Sequence, residues 1–120
     1  MAKIVLIGLE PAAAGQIRRA LAEDRHKIEQ QPPDTLIRKL GKADIIFAGG
    51  EPSHYMPLLK RVRDQRPTLP FVVVTRIAET NEWLDAIEAG ATDYCSVPIG
   101  KRQLHWLLES TRPWPRAATA

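Results

Sequence analysis

EAGATDYCSVP, residues 88–98, holds a helix end, a strand and a turn in eleven positions. Gly90 suits the left-handed residue that ends a helix. Residues 92–96 read as a short strand, and Pro98 keeps that strand from extending. Upstream, Trp83, Leu84 and Ile87 fall at helical spacing and are read as the inward stripe of the helix that Gly90 ends. Before that helix stands FVVVT, residues 71–75, the most β-prone run of the chain. Downstream, Leu104, Leu107 and Leu108 mark the buried side of a last helix. Strands and helices alternating at this spacing are how a parallel α/β sheet is written.

The same alternation runs back to the amino terminus. Ile4, Val5, Leu6 and Ile7 form a continuous apolar run that Gly8 ends, as expected of a strand covered on both faces. Pro11 opens a helix with Ile17, Ala20 and Leu21 inward and Arg18, Arg19, Glu23 and Asp24 toward water. Residues 27–31 have one clear apolar side chain, Ile28, and are expected at a sheet edge. Asp34 is placed to cap a short helix with Leu36, Ile37 and Leu40 buried and Gly41 as its stop. Residues 43–48 form the third strand, closed by Gly49 and Gly50. Tyr55, Leu58, Leu59 and Val62 then give an i, i+3, i+4, i+7 helix ending before Pro67. Five strand–helix units fill residues 1–111 as one domain. Residues 112–120, with two prolines and a run of small residues, read as a flexible tail or the start of a linker to an output domain.

The 120 residues carry 17 Lys and Arg against 14 Asp and Glu, a formal charge of +3, and 44% are hydrophobic. That balance excludes a disordered chain, and no apolar run approaches the ~20 residues of a membrane-spanning helix. The start lacks a signal-peptide pattern, so a cytoplasmic location is expected. Cys95 is the single cysteine, which excludes an internal disulfide; with His26, His54 and His105 it makes no zinc spacing, and no metal or cofactor is expected. A pI near 9.3 is a weak pointer to nucleic acid. The basic cluster Lys60, Arg61, Arg63 and Arg66 is interrupted by Asp64 and lacks interleaved aromatics, so it reads as a solvated helix face. Neither nucleic acid nor membrane is expected as a partner, and no G-x-G-x-x-G follows the first strand to mark a dinucleotide site.

Four segments, KIVLIGLEP (3–11), ADIIFAG (43–49), LPFVVVT (69–75) and EAGATDYCSVP (88–98), resemble in order and spacing the receiver domain of two-component response regulators. The resemblance spans roughly residues 2–111. It implies a flavodoxin-like three-layer sandwich, a five-stranded parallel sheet of order 2-1-3-4-5 with five helices. It also implies a chemistry: an aspartate ending the third strand takes a phosphoryl group, an acidic pair after the first strand holds Mg²⁺, a Lys precedes the proline after the fifth strand, and a Ser or Thr ends the fourth. A hard dication needs carboxylate oxygens, and an acyl phosphate needs a carboxylate acceptor. Here Gly8 and Leu9 stand where the acidic pair belongs, Gly49 at the acceptor position and Val97 at the lysine position. Thr75 remains, with Tyr94 at the aromatic switch position. The implied reading is a pseudo-receiver, a phosphorylation-independent module of two-component or transcription regulation that is not an enzyme.

Two alternatives stand beside it. Glu10 lies one residue beyond the missing pair and Glu51 two beyond the missing acceptor, so either compensates as an unconventional carboxylate or is a solvated loop acid, whereas Asp44 lies at the opposite end of its strand. Gly8, Gly49 and Gly50 leave room for a small ligand in the vacated pocket. Thr75 reads as a backbone-satisfied hydroxyl or a sensor, Tyr94 as a ring locked beside the fourth helix, and Cys95 as a small buried hydrophobe. Trp106 points away from the Leu104, Leu107 and Leu108 stripe, and an exposed Trp marks an interface unless the tail, with Pro113 and Trp114, folds back over it. The resemblance implies a partner face of fourth helix, fifth strand and fifth helix. Lys101, Arg102, His105 and Trp106 would stand there beside Glu82, Asp85 and Glu88, opposite charges that fit a homodimer across a twofold axis or another protein.

Overall fold

A computed structural model of the chain describes residues 2–35, 37–77 and 79–111. Strands β1 (Lys3–Ile7), β2 (Lys27–Gln31), β3 (Ile45–Gly49), β4 (Phe71–Thr75) and β5 (Asp93–Ser96) form one parallel sheet in the order β2-β1-β3-β4-β5. Helices α1 (Pro11–Ala20), α2 (Pro52–Gln65), α3 (Thr80–Glu88) and α4 (Lys101–Ser110) cover its two faces. This is the expected flavodoxin-like arrangement.

Successive side chains of a strand point to opposite faces, so the sheet sorts its residues into two cores. Ile4, Leu6, Phe47, Val72 and Val74 pack with Ile17 of α1 and Leu104, Leu107 and Leu108 of α4. Val5, Ile7, Ile46, Phe71 and Val73 pack with Tyr55, Leu58, Leu59 and Val62 of α2 and Ala86 of α3. All five residues of β3, the central strand, are buried, while β2 at the edge keeps only a partial covering. Asp44, fully buried just before β3, accepts the Lys3 N–H at Oδ2 at 2.8 Å and ties β1 to β3 at their amino ends.

Four α-helices stand among the described residues where five are expected. Pro32 and Pro33 remove two amide donors after β2, and the Thr35 N–H already turns back to the Pro32 carbonyl at 3.1 Å. Before Gly41, at φ +55°, only Ile37–Leu40 coils, as a single 3₁₀ turn. Leu40 is buried in it and Ile37 half-buried, while Leu36 lies outside the described residues.

The stripe on α3 is also reversed. Trp83, Leu84 and Ile87 face water, at 44%, 45% and 39% exposure, and Ala86 is the buried residue of this helix. Ala86 and Ala89 meet a layer already occupied by Tyr55 and Tyr94, which leaves room for methyl groups and not for Leu or Trp. The basic cluster on α2 is only half solvated. Lys60 and Arg61 are exposed, but Arg63 donates to the carbonyls of Gly90 (2.7 Å) and Leu69 (2.6 Å), and Arg66 to those of Gly41 and Ala43, both at 3.0 Å. The tail with Pro113 and Trp114 lies outside the described residues. Among the described residues no helix is long and apolar enough to cross a membrane.

Candidate functional site

The carboxyl ends of β1, β3, β4 and β5 meet at one corner because the register sets Ile7 beside Ala48, Gly49 beside Val74 and Thr75 beside Ser96. Ligands of open α/β sheets sit at such ends. Gly8 follows β1 at φ +67°, and a Cβ there would stand 3.0 Å from the Gly49 carbonyl oxygen. A Cβ on Gly49 would stand 2.7 Å from Leu9 Cδ2 and 2.8 Å from the Val74 carbonyl oxygen. Leu9 therefore fills the space that an acceptor side chain at position 49 needs.

The other positions follow the same apolar pattern. Val97 is half-buried against the core shared by α1 and α4, and its N–H donates to the Thr75 carbonyl at 2.9 Å. The Thr75 hydroxyl donates to the Ile77 carbonyl at 3.2 Å, so the backbone satisfies it. Glu10 pairs with Arg76 at 3.7 Å, both side chains well exposed. Glu51 is exposed at the start of α2, where its carbonyl accepts from the N–H groups of His54 and Tyr55. The Mg²⁺ implied by the resemblance does not fit this corner, because Gly8, Leu9 and Gly49 offer no side-chain oxygen to a hard cation. Among the described residues no three His, Cys, Asp or Glu side chains group as metal ligands.

Beside Leu9 the corner opens into a cleft of about 750 Å³. Leu9, Val74, Val97 and Pro98 give it an apolar lining, α1 contributes Ala12, Ala13, Gln16 and Arg19, and Glu51, Thr75, Arg76 and Ile77 line the opposite side. The Gln16 Oε1 accepts the Ile99 N–H at 3.0 Å and fixes α1 to the turn after β5. Gln16, Arg19 and Arg76 are functional candidates that the sequence reading does not single out. The legible signal for them is the i, i+4, i+7 spacing of Ala12, Gln16 and Arg19 on α1.

The switch position is held inward. Tyr94 is 8% exposed and its hydroxyl donates to Glu82 Oε2 at 3.2 Å, joining β5 to α3. Tyr55 lies beneath it, with its own hydroxyl buried beside that of Tyr94. Burial, then the neighbouring Tyr94, Glu82 and Asp85, push the Tyr55 hydroxyl up to about 12. Cys95 is buried as expected; burial and then Asp93 push its thiol up to about 11, and Gln103 donates to its Sγ at 3.4 Å.

The expected partner face is divided. Trp106 is 61% exposed, and Arg102, one turn earlier on the same side of α4, is exposed too. Lys101 and His105 instead turn toward the segment after α1, pairing with Glu23 at 3.9 Å and Asp24 at 2.7 Å. They lie on the flank of α4 opposite Gln103, which contacts β5, so they do not stand with Trp106. Asp85 and Glu88 are exposed on α3, whereas Glu82 is spent on Tyr94. A feature absent from the expectations joins them: residues 77–100 contain five acids and no Lys, Arg or His.

No family model and no curated protein matches the chain. Solved structures do match. A response regulator receiver domain protein from Clostridium thermocellum superposes with a TM-score of 0.79 at 18% identity, over 92% of this chain and 94% of that one. A two-component response regulator from Clostridium difficile gives 0.79 at 24% identity, over 92% and 95%. A CheY-like protein, tadZ, from Pseudomonas aeruginosa gives 0.77 at 18% identity, over 94% and 95%. The chain has the receiver, CheY-like fold; identities this low carry the fold alone.

Proposed function

We propose that this chain is a receiver-like signalling module of two-component or transcription regulation that acts by protein contact and without phosphoryl transfer. The observation that carries the reading is where apolar surface remains in water. On α3 and α4 the large hydrophobic side chains Trp83, Leu84, Ile87 and Trp106 are left exposed. Edge strand β5 lies between these helices, so one side of the molecule joins apolar side chains to an unpaired strand edge. Arg102 beside Trp106, and Asp85 and Glu88 on α3, supply opposite charges that fit a homodimer. Leu9 supports the absence of phosphoryl transfer, since an acyl phosphate requires a carboxylate where this chain has glycine and a filled space. The reading assigns no catalytic residue, and a cytoplasmic location and an output domain joined through residues 112–120 are consistent with it.

Two measurements test it together. After incubation with acetyl phosphate and Mg²⁺ the intact mass is expected to be unchanged; an alkali-labile adduct, the mark of an acyl phosphate, overturns phosphorylation independence and moves attention to Glu10 and Glu51. In sedimentation velocity the wild type is expected to self-associate and Trp106→Ala and Trp83→Asp to weaken that association. A monomeric wild type overturns the homodimer and leaves a different protein as partner.

A further inference from the structure

We infer that the corner cleft is a binding site for a small organic anion, an apolar body carrying one carboxylate or phosphate group. At about 750 Å³ it falls within the ~300–1,000 Å³ of small-molecule pockets and is far larger than a dication or one phosphoryl group requires. Leu9, Val74, Val97 and Pro98 line it with hydrocarbon, which favours an apolar body by ~25 cal/mol for each Å² removed from water. Ile77 extends that hydrocarbon. It lines the cleft yet is 74% exposed, the highest value among the large hydrophobic side chains left in water, and a molecule seated there covers what the fold leaves open.

The charged groups of the lining cancel formally, Arg19 and Arg76 against Glu10 and Glu51, so their placement decides the sign. Glu10 is already matched by Arg76 in an exposed pair that changes partner at little cost. Arg19 makes no ion pair among the described residues. The amide groups of α1 add the deciding donors. Pro11 begins the helix, and the first internal bond runs from the Ala14 N–H to the Glu10 carbonyl, so the N–H groups of Ala12 and Ala13 at the cleft have no partner within the helix. With Arg76 and Glu10 set against each other, Arg19 balances Glu51, and the two amides at the positive end of the helix dipole tip the cleft toward an anion.

The test uses the full ¹⁵N-labelled chain and four probes of one shape: 2-naphthoate, 2-naphthyl phosphate, 2-naphthylmethanol and 2-naphthylmethylammonium. Saturable amide shifts are expected at Ala12, Ala13, Thr75 and Arg76 with one or both anions, at least about tenfold tighter than with the alcohol or the ammonium. The preferred anion then names the head group. Arg19→Ala and Arg76→Ala are each expected to weaken the anion by about tenfold, and Ala13→Trp, which fills the cleft from a half-exposed helix position, to abolish it. The proposal is overturned if the alcohol or the ammonium binds as tightly as the anions. It is also overturned if the shifts gather at Trp83 and Trp106, or if both Arg variants bind as wild type. Binding here is read from amide shifts of the unmodified chain, so it can fail while the mass and sedimentation results stand, and the reverse.

Discussion

A hydrogen atom in place of a side chain lets Gly49 end β3 with Leu9 and the Val74 carbonyl pressed against it. Leu9 can swing aside, but the Val74 carbonyl belongs to the β3–β4 ladder and cannot. Gly49→Asp is therefore expected to cost more than about 2 kcal/mol in urea denaturation, from overpacking and an unpaired buried carboxylate, without restoring phosphorylation. Adding Leu9→Ala should recover part of the loss and not all of it. Tyr55 makes the complementary case, a buried hydroxyl set beside that of Tyr94. Its folded pKa, about 12, lies above the ordinary 10.0, so the fold favours the neutral phenol. Its contribution to stability is present in full below pH 10 and is lost as pH rises from there toward 12. Tyr55→Phe is expected to lose at most about 1 kcal/mol at neutral pH, and to flatten the alkaline limb of a stability–pH curve between those values. A variant that keeps the wild-type limb would assign the titration to another group.

Elements were legible where one residue type repeats and illegible where size or remote partners decide. The consecutive apolar residues of β3 and β4 announce buried strands, and their order with the helices announces the fold. The α3 stripe misleads because helical spacing says that Trp83, Leu84 and Ile87 share a face and says nothing about which face is covered. Its inward side is set by Ala86 and Ala89, whose small size lets the helix sit on Tyr94. At the site, Gly8, Leu9, Gly49 and Val97 could be placed by position, but the filling of the acceptor space by Leu9 and the joining of Arg19, Gln16 and Arg76 around one cleft arise from segments far apart in sequence. Arg63 escaped for the same reason, since its acceptors are main-chain carbonyls that leave no mark in a sequence. It joins α2 to the turn after α3 and to the turn before β4, and burial lowers its pKa from the ordinary value. Arg63→Ala is expected to cost about 2 kcal/mol by denaturation, against less than about 0.5 kcal/mol for Lys60→Ala on the exposed side of the same helix.

Across the whole molecule charge is segregated more sharply than the formal +3 conveys. All 17 Lys and Arg residues lie outside residues 77–100, a block whose only charged residues are Glu79, Glu82, Asp85, Glu88 and Asp93. That block contains α3 and β5, so the acids surround the exposed Trp83, Leu84 and Ile87, while Arg102 and Trp106 stand on α4 across the edge strand. Like surfaces of two copies repel face to face, but a twofold axis beside β5 sets the acidic helix of one copy against Arg102 on α4 of the other. Such an interface has a polar, salt-sensitive part and an apolar part, and the two can be separated. Self-association in sedimentation velocity is expected to weaken on going from low to high salt, because exposed charge pairs are screened. Asp85→Lys with Glu88→Lys should reverse the sign of that salt dependence, whereas Trp106→Ala should weaken association at every salt concentration and leave the slope unchanged. Equal slopes in the charge-reversed and wild-type chains would show that the acidic block faces solvent in the assembly and that the apolar side chains associate without it.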